Sequence, residues 1–302
     1  MRQFIATGTT ERIESANNQR NQLGMFKLSS VFKPNTNFQL DYDVLFKTSK
    51  QTENTQTLSL FADFTNDIEE TKTNKPSSLN QNINAYYTAN EDNIFAAQFQ
   101  HLWQDEDPFY NAITDLIPFQ GILPIDETQN RYSINQQKNV ISRKWDGKVD
   151  YFYVLNNLSN LNVTIGGTYS EQEFNSSIFQ RLNDGSTLPL NTTPEINGSV
   201  FPLTNDVFYR FSDYFLGLRY KLKQGKFIFT PGLTLHNFGL KNVQQSINST
   251  QNDWNLLPEF NLNWQIKSSE NLRFRYAMTA QYTDVNNYAE AFVFNNYNRL
   301  FR

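Results

Sequence analysis

The chain carries only two imidazoles, His101 and His236, and no cysteine. A metal pair built on them would need further donors at ligand spacing. No carboxylate stands at such spacing from either histidine, and both fall in segments with strand patterning. They read as strand residues facing a lumen or an interface, and no metal or other cofactor is expected. Nucleophilic catalysis needs an oriented base beside its nucleophile, and nothing nominates a particular serine or threonine. The chain is therefore not expected to be an enzyme.

The acidic residues offer other chemistry. Asp105, Glu106 and Asp107 follow Trp103, with Phe109 and Tyr110 just beyond. At the base of an external loop such a group could touch a substrate or hold a divalent cation. It lacks the Asp-x-Asp-x-Asp-Gly spacing of a calcium loop, so a solvated loop base is the reading that its spacing favours. Trp103, Asp105, Asp107 and Tyr110 are the residues there that would meet a substrate. Asp67, Glu69 and Glu70 read as solvated. Asn-x-Ser/Thr triplets such as Asn191-Thr192-Thr193 arise by chance in so Asn-rich a chain, and Asn162-Val163-Thr164 falls inside a strand pattern.

These groups must be positioned by strands. The 302 residues include 26 Phe and 15 Tyr, yet the mean hydropathy is -0.60. Charged residues are only 19%, so Asn, Gln, Ser and Thr supply most of the polarity. An aromatic-rich chain poor in helix formers fits β structure with one wet and one apolar face. The formal net charge of -4 is close to balance, without a block of like charge, and no nucleic-acid partner is implied. No run of about 18 apolar residues exists, so no transmembrane helix is encoded. Barrel strands alternate and escape that test.

Period-two alternation recurs along the chain. Phe38, Leu40, Tyr42, Val44 and Phe46 alternate with polar neighbours. Leu161, Val163, Ile165 and Tyr169 do the same, as do Tyr214, Leu216, Leu218, Tyr220 and Leu222. Phe227, Phe229, Leu233 and Leu235 form another set, and Phe260, Leu262, Trp264 and Ile266 the next. The last set is Leu272, Phe274, Tyr276, Met278, Ala280 and Tyr282. Residues 3–13, 21–33, 77–89, 94–106 and 131–157 also read as strands. This predicts about eleven strands, each about long enough to cross a bilayer when tilted.

Tight polar turns are expected at 34–37, 90–93, 157–160, 223–226 and 267–271. Long connections are expected near 52–76, 107–130, 176–205 and 243–253, with 55–65 inside an extended external loop. Short turns on one side and long loops on the other are the layout of an outer-membrane barrel. Tyr and Trp residues such as Tyr87, Trp145, Tyr151, Tyr169, Tyr214, Trp254, Trp264 and Tyr282 are candidates for interfacial girdles. If the apolar faces meet lipid, Asp41, Asp43, Arg219, Arg273 and Arg275 face inward and line the lumen.

Two stretches go further. One is Asn82-Ile83-Asn84-Ala85-Tyr86-Tyr87-Thr88-Ala89 followed by Phe95-Ala96-Ala97-Gln98-Phe99-Gln100-His101-Leu102. The other runs from Leu262 through Arg273-Phe274-Arg275-Tyr276 to Phe292-Val293-Phe294-Asn295-Asn296-Tyr297-Asn298-Arg299-Leu300. Both resemble the barrel region of TonB-dependent outer-membrane receptors, of the Asn- and aromatic-rich kind with a carboxypeptidase-regulatory-like extension. The resemblance implies a barrel of roughly 22 strands around a plug. It further implies outer-membrane lipid and the TonB energy-coupling system as partners, and import of an unknown small nutrient across the outer membrane of a Gram-negative bacterium.

Neither a signal peptide nor a plug is recognised, so residues 1–302 are expected to be one partial barrel domain, about half a barrel from a longer reading frame. Two other readings stand beside this one. A secreted all-β adhesin or carbohydrate-binding module would have a polar outer face. A passive porin-like barrel would encode no plug.

Overall fold

The computed structural model describes residues 2–3, 10–245, 247–280 and 291–301. Residues 4–9, expected within the first strand, and Tyr282, a girdle candidate, lie outside the described residues. The architecture is all-β and antiparallel, with no helix among the described residues. In chain order the strands are β1 (Arg2–Gln3), β2 (Thr10–Phe32), β3 (Phe38–Leu60), β4 (Thr65–Asn74), β5 (Ser77–Asn90), β6 (Asn93–Glu106), β7 (Phe109–Thr114) and β8 (Tyr132–Asn156). They continue as β9 (Ser159–Arg181), β10 (Thr187–Leu190), β11 (Asn205–Gln224), β12 (Phe227–Gln244), β13 (Ile247–Lys267), β14 (Glu270–Ala277), β15 (Val293–Asn296) and β16 (Arg299–Phe301).

Several of these strands share one row of the sheet. The upper half of β3 pairs with β4 and its lower half with β5. Likewise β7 and β6 pair with the upper and lower parts of β8. Both rows are interrupted at a proline, Pro76 and Pro108. A proline has no N–H to give the ladder, but its carbonyl still accepts. Ser49 N donates to Pro76 O at 3.0 Å and Lys138 N to Pro108 O at 2.9 Å, so each row resumes in register.

The main sheet therefore has ten long rows among the described residues, where eleven were expected. The difference arises at the start, because β2 runs unbroken through residues read as a gap between two strands. Among the described residues no pairing joins the β1–β2 end of the sheet to β14.

All five expected tight turns lie on one rim. Side chains build three of them: the Asn35 Oδ1 accepts from Asn37 N and Phe38 N, Asn90 from Asp92 N, and Asn156 from Leu158 N. These are Asx turns, the local reason Asn closes strands here.

The opposite rim departs from expectation. The connection expected over 52–76 is a hairpin turn at residues 61–64, with Phe61 N donating to Phe64 O at 2.9 Å. The segment 55–65, read as an external loop, is instead the tip of β3 and its turn. The connection expected over 243–253 shrinks to two residues between β12 and β13. Only 115–131 and 182–204 remain long, and the second carries β10, which folds back onto β9.

The sheet is curved. Side chains from β8, β9, β11, β12, β13 and β14 line a single open trough of about 730 Å³, so one face is concave. The opposite parity of each strand is convex and apolar. One row reads Leu40, Ala85, Ala97, Val149, Ile165, Leu216, Leu235, Leu256 across eight neighbouring strands. It is also exposed: Ile165 is 61% and Leu256 55% accessible.

A close approach of backbones shapes the wall at Gly166-Gly167. In register, Phe215 covers Gly166 on the concave face and Tyr214 covers Gly167 on the convex face. A Cβ on Gly166 would stand 2.6 Å from Gly147 O and 2.7 Å from the Phe215 ring. Glycine in a strand commonly marks such an aromatic cover. Gly166→Val is expected to destabilise the fold by about 1–3 kcal/mol through overpacking, read as a lower urea midpoint in detergent micelles. An unchanged midpoint would mean the ring does not depend on that vacancy.

The C-terminal hairpin, β15 and β16, does not extend the wall, although its sequence was read as barrel-like. It lies against the concave face near the long-loop rim. Phe294 packs with Tyr110, Ile134, Ile178, Leu190 and Leu203 in the main buried cluster.

Candidate functional site

Polar parity fills the concave face with charge. In the trough, His236 Nδ1 lies 2.8 Å from Asp213 Oδ1, and the His236 ring stacks on Phe238 at 5.1 Å. Arg219 pairs with Glu259 at 2.5 Å. Lower down, Lys148 pairs with Asp150 at 3.1 Å, and Thr164 donates to the same carboxylate. His236 and Asp213 join neighbouring strands, Lys148 and Asp150 lie on one, and Arg219 reaches Glu259 across β12 at Gly232, so the wall is crosslinked yet wet. Exposed pairs of this kind contribute little stability, about 0–1 kcal/mol. Their role is to hold polar groups at fixed places around an aqueous space.

The structure places the inward candidates as follows. Arg219 and Arg275 line the trough. Arg273 shares the parity of Arg275 and is in register with Asn263. Asp41 and Asp43 are in register with Asn84 and Asn82, which line a second concave recess beside Lys148. The five therefore share a face but not a site, since Asp41 and Asp43 stand on β3 and the arginines on β11 and β14.

The four substrate-contact candidates are not brought together. Trp103 and Asp105 occupy convex parity, in register with Arg143 and Ile141. Asp107 is exposed beside the Pro108 break. Tyr110 alone faces the concave side, 7% accessible, its hydroxyl donating to Glu70. The segment is not a loop base, because the row continues through β7 to Thr114.

The convex face changes character with height. His101, Trp145 and Tyr169 form an aromatic row, with the His101 and Trp145 rings at 5.3 Å and Trp145 and Tyr169 at 5.7 Å. One row toward the long-loop rim stand Trp103, Arg143, Glu171, Arg210 and Lys241, with Arg210 paired to Glu171 at 2.9 Å. Toward the short-turn rim the convex side chains are Phe38, Tyr87, Phe95 and Tyr151, stacked from Tyr87 onward. All four tryptophans of the chain, Trp103, Trp145, Trp254 and Trp264, have convex parity.

The rim loops are held by their own acids. Hydrogen bonds from the Thr128 hydroxyl and amide keep the Asp126 carboxyl below the usual carboxylate range. Ser186 does the same for Asp184. On the convex side Arg131 gathers Glu69 and Asp115, each at 2.7 Å. Asp67 and Glu69 therefore anchor the 115–131 loop, while Glu70 accepts from Tyr110 on the concave side.

Sequence reading did not single out Asp213, Glu259, Lys72 or Lys138. Asp213, Glu259 and Lys138 sit at polar positions of strands and Lys72 in a stretch read as a long connection, and none carries a further mark in the sequence.

No family model matches the chain, and no curated protein matches it. Among solved structures, the unliganded ferric citrate transporter FecA overlaps 85% of this chain and 43% of its own, at 11% identity and TM-score 0.34. The chain thus spans less than half of that transporter. The TodX deltaS2S3 mutant monoaromatic hydrocarbon channel overlaps 88% of this chain and 76% of its own, at 12% identity and TM-score 0.39. The translocator domain of the autotransporter NalP from Neisseria meningitidis overlaps 90% and 84%, at 10% identity and TM-score 0.28. At these scores none of the three assigns an activity to this chain.

Proposed function

We propose that this chain is part of the wall of an outer-membrane transport barrel, with its convex face in lipid and its concave face toward an aqueous lumen. One observation carries the reading: the convex rows are apolar across eight strands, edged by aromatics, and give way abruptly to charge. In a soluble protein so large an exposed apolar band would be an aggregation surface. In lipid it is the expected outer wall. Its height agrees, since Trp254 to Trp264 is ten strand steps, about 34 Å at about 3.4 Å each. Tilted by about 45°, that is about 24 Å against a band of about 25 Å.

The finer reading is TonB-dependent import of a small nutrient, with a plug domain supplied by sequence outside this chain and no catalytic step. It is supported by the Asn- and aromatic-rich stretches around 82–102 and 262–300. The flanking DNA in the source genome tests it: an in-frame plug-encoding segment upstream of Met1 supports it, and a stop codon there overturns it.

The membrane placement is tested by tryptophan emission from protein refolded into phosphatidylcholine vesicles. Lipids brominated on the acyl chains should quench most of it, because Trp145, Trp254 and Trp264 edge the apolar band. Emission unaffected by brominated lipid, from a protein that stays dissolved without detergent, would instead favour a secreted all-β module.

A further inference from the structure

Above the apolar band, the C-terminal hairpin and the concave wall enclose a cavity of about 430 Å³, within the range of small-ligand sites. Its lining includes Glu53, Lys72, Asn74, Tyr110, Lys138 and Phe294. These come from β3, β4, β7, β8 and β15, so the docked hairpin supplies one side of the cavity.

The lining carries two ammonium groups, Lys72 and Lys138, and one carboxylate, Glu53, in register opposite Lys72. Lys72 and Lys138 form no ion pair with any described residue; Lys72 lies 5.8 Å over the Tyr110 ring. The nearby carboxylates are held by neutral donors rather than by these lysines. Glu53 accepts from the Asn17 amide at 2.6 Å, and Glu70 accepts from the Tyr110 hydroxyl and from Tyr297 N. The Asn74 Oδ1 is buried without a partner, a polar group that needs one. Two neighbouring cations beside an aromatic wall suit an anion with an apolar body, and the Asn74 Oδ1 has room to accept from a donor on it.

We propose that this cavity binds a small organic oxyanion, with its acid group between Lys72 and Lys138 and its apolar body against Phe294. The ammonium groups supply point charges for a carboxylate or phosphate. The Asn74 amide supplies one further hydrogen bond and so favours a ligand with a donor of its own. The assignment deepens the transport reading by naming a ligand class for the lumen, and it rests on the concave face being wet.

The test is calorimetric titration of the full 302-residue chain in detergent with phenylacetate, phenyl phosphate, inorganic phosphate and phenethylamine. Phenylacetate or phenyl phosphate should bind, whichever is tighter naming the acid group, and phenethylamine should not. K72Q and K138Q should each weaken binding at least tenfold, with strand content by circular dichroism unchanged. K241Q, on the convex face, should leave it unaltered. Binding that is indifferent to both lysine substitutions, equal uptake of phenethylamine, equal affinity for inorganic phosphate alone, or no anion binding would each overturn the proposal. Calorimetry does not depend on lipid contact, so its failure is distinguishable from failure of the quenching experiment.

Discussion

Replacing Leu235 by arginine is expected to lower folding stability in phospholipid vesicles by about 1–3 kcal/mol, between the cost of such a charge at the interface of a barrel and at its lipid midplane. Replacing its neighbour Thr234 should change stability by only about 0.5 kcal/mol, as for a solvated surface position. The two residues share one strand and one depth. They differ only in the face they present: Leu235 sits in the row between Leu216 and Leu256, while Thr234 lines the trough near Arg219 and Glu259. A guanidinium at 234 keeps its water and gains a carboxylate neighbour, whereas at 235 it displaces apolar surface from lipid. Urea titrations of the two variants in vesicles make the comparison. Equal losses would remove the distinction between the faces, and a larger loss for Thr234→Arg would reverse the assignment of lumen and lipid.

That contrast between faces was also the most legible part of the sequence. Leu216, Leu218, Tyr220 and Leu222 alternate with polar residues because one side of β11 is apolar and the other wet, so a period of two was written directly into the residue types. The same rule explains what was missed. Above the band both faces of a strand are polar, and alternation disappears while the backbone ladder continues. Residues 48–60 and 65–74 have no readable period, yet they pair along ten residues of β3 and β4. Residues 55–65 look strand-like but break the alternation of short and long connections, which is why they read as a loop; the turn is only residues 61–64. Hairpin tips with Asn side chains are readable because an Asx turn is local; the turn that begins at Gln245 has no such mark.

The candidate site was harder still. Lys72 and Lys138 are brought to one cavity by β4, β7 and β8 lying side by side, a consequence of long-range register that no local pattern announces. Trp103, Asp105 and Tyr110 illustrate the converse. They are close in sequence, but strand parity sends the first two to the convex face and the third to the concave one.

The second large effect is expected at Phe294. Its side chain is 6% accessible and packs between Tyr110 and Phe119, with ring centroids at 5.6 and 5.4 Å. Truncating a buried phenylalanine costs about 3–5 kcal/mol, and here the loss falls on the docking of one hairpin rather than on the sheet. Three wall side chains receive its backbone: Gln136 accepts from Phe294 N, Glu70 from Tyr297 N and Asn205 from Ala291 N. Phe294→Ala should therefore raise hydrogen exchange at these three amides by about two orders of magnitude or more, since about 1.4 kcal/mol is tenfold. The β8, β9 and β11 ladders should exchange as before. Because the hairpin closes the cavity over Lys72 and Lys138, the same variant should also weaken binding of phenylacetate or phenyl phosphate with both lysines intact. Exchange that stays slow at residues 291–297 would mean the polar anchors hold the hairpin without the ring. Loss of protection throughout the sheet would mean the hairpin is part of the wall's own folding unit, and that the lumen does not hold a separable element.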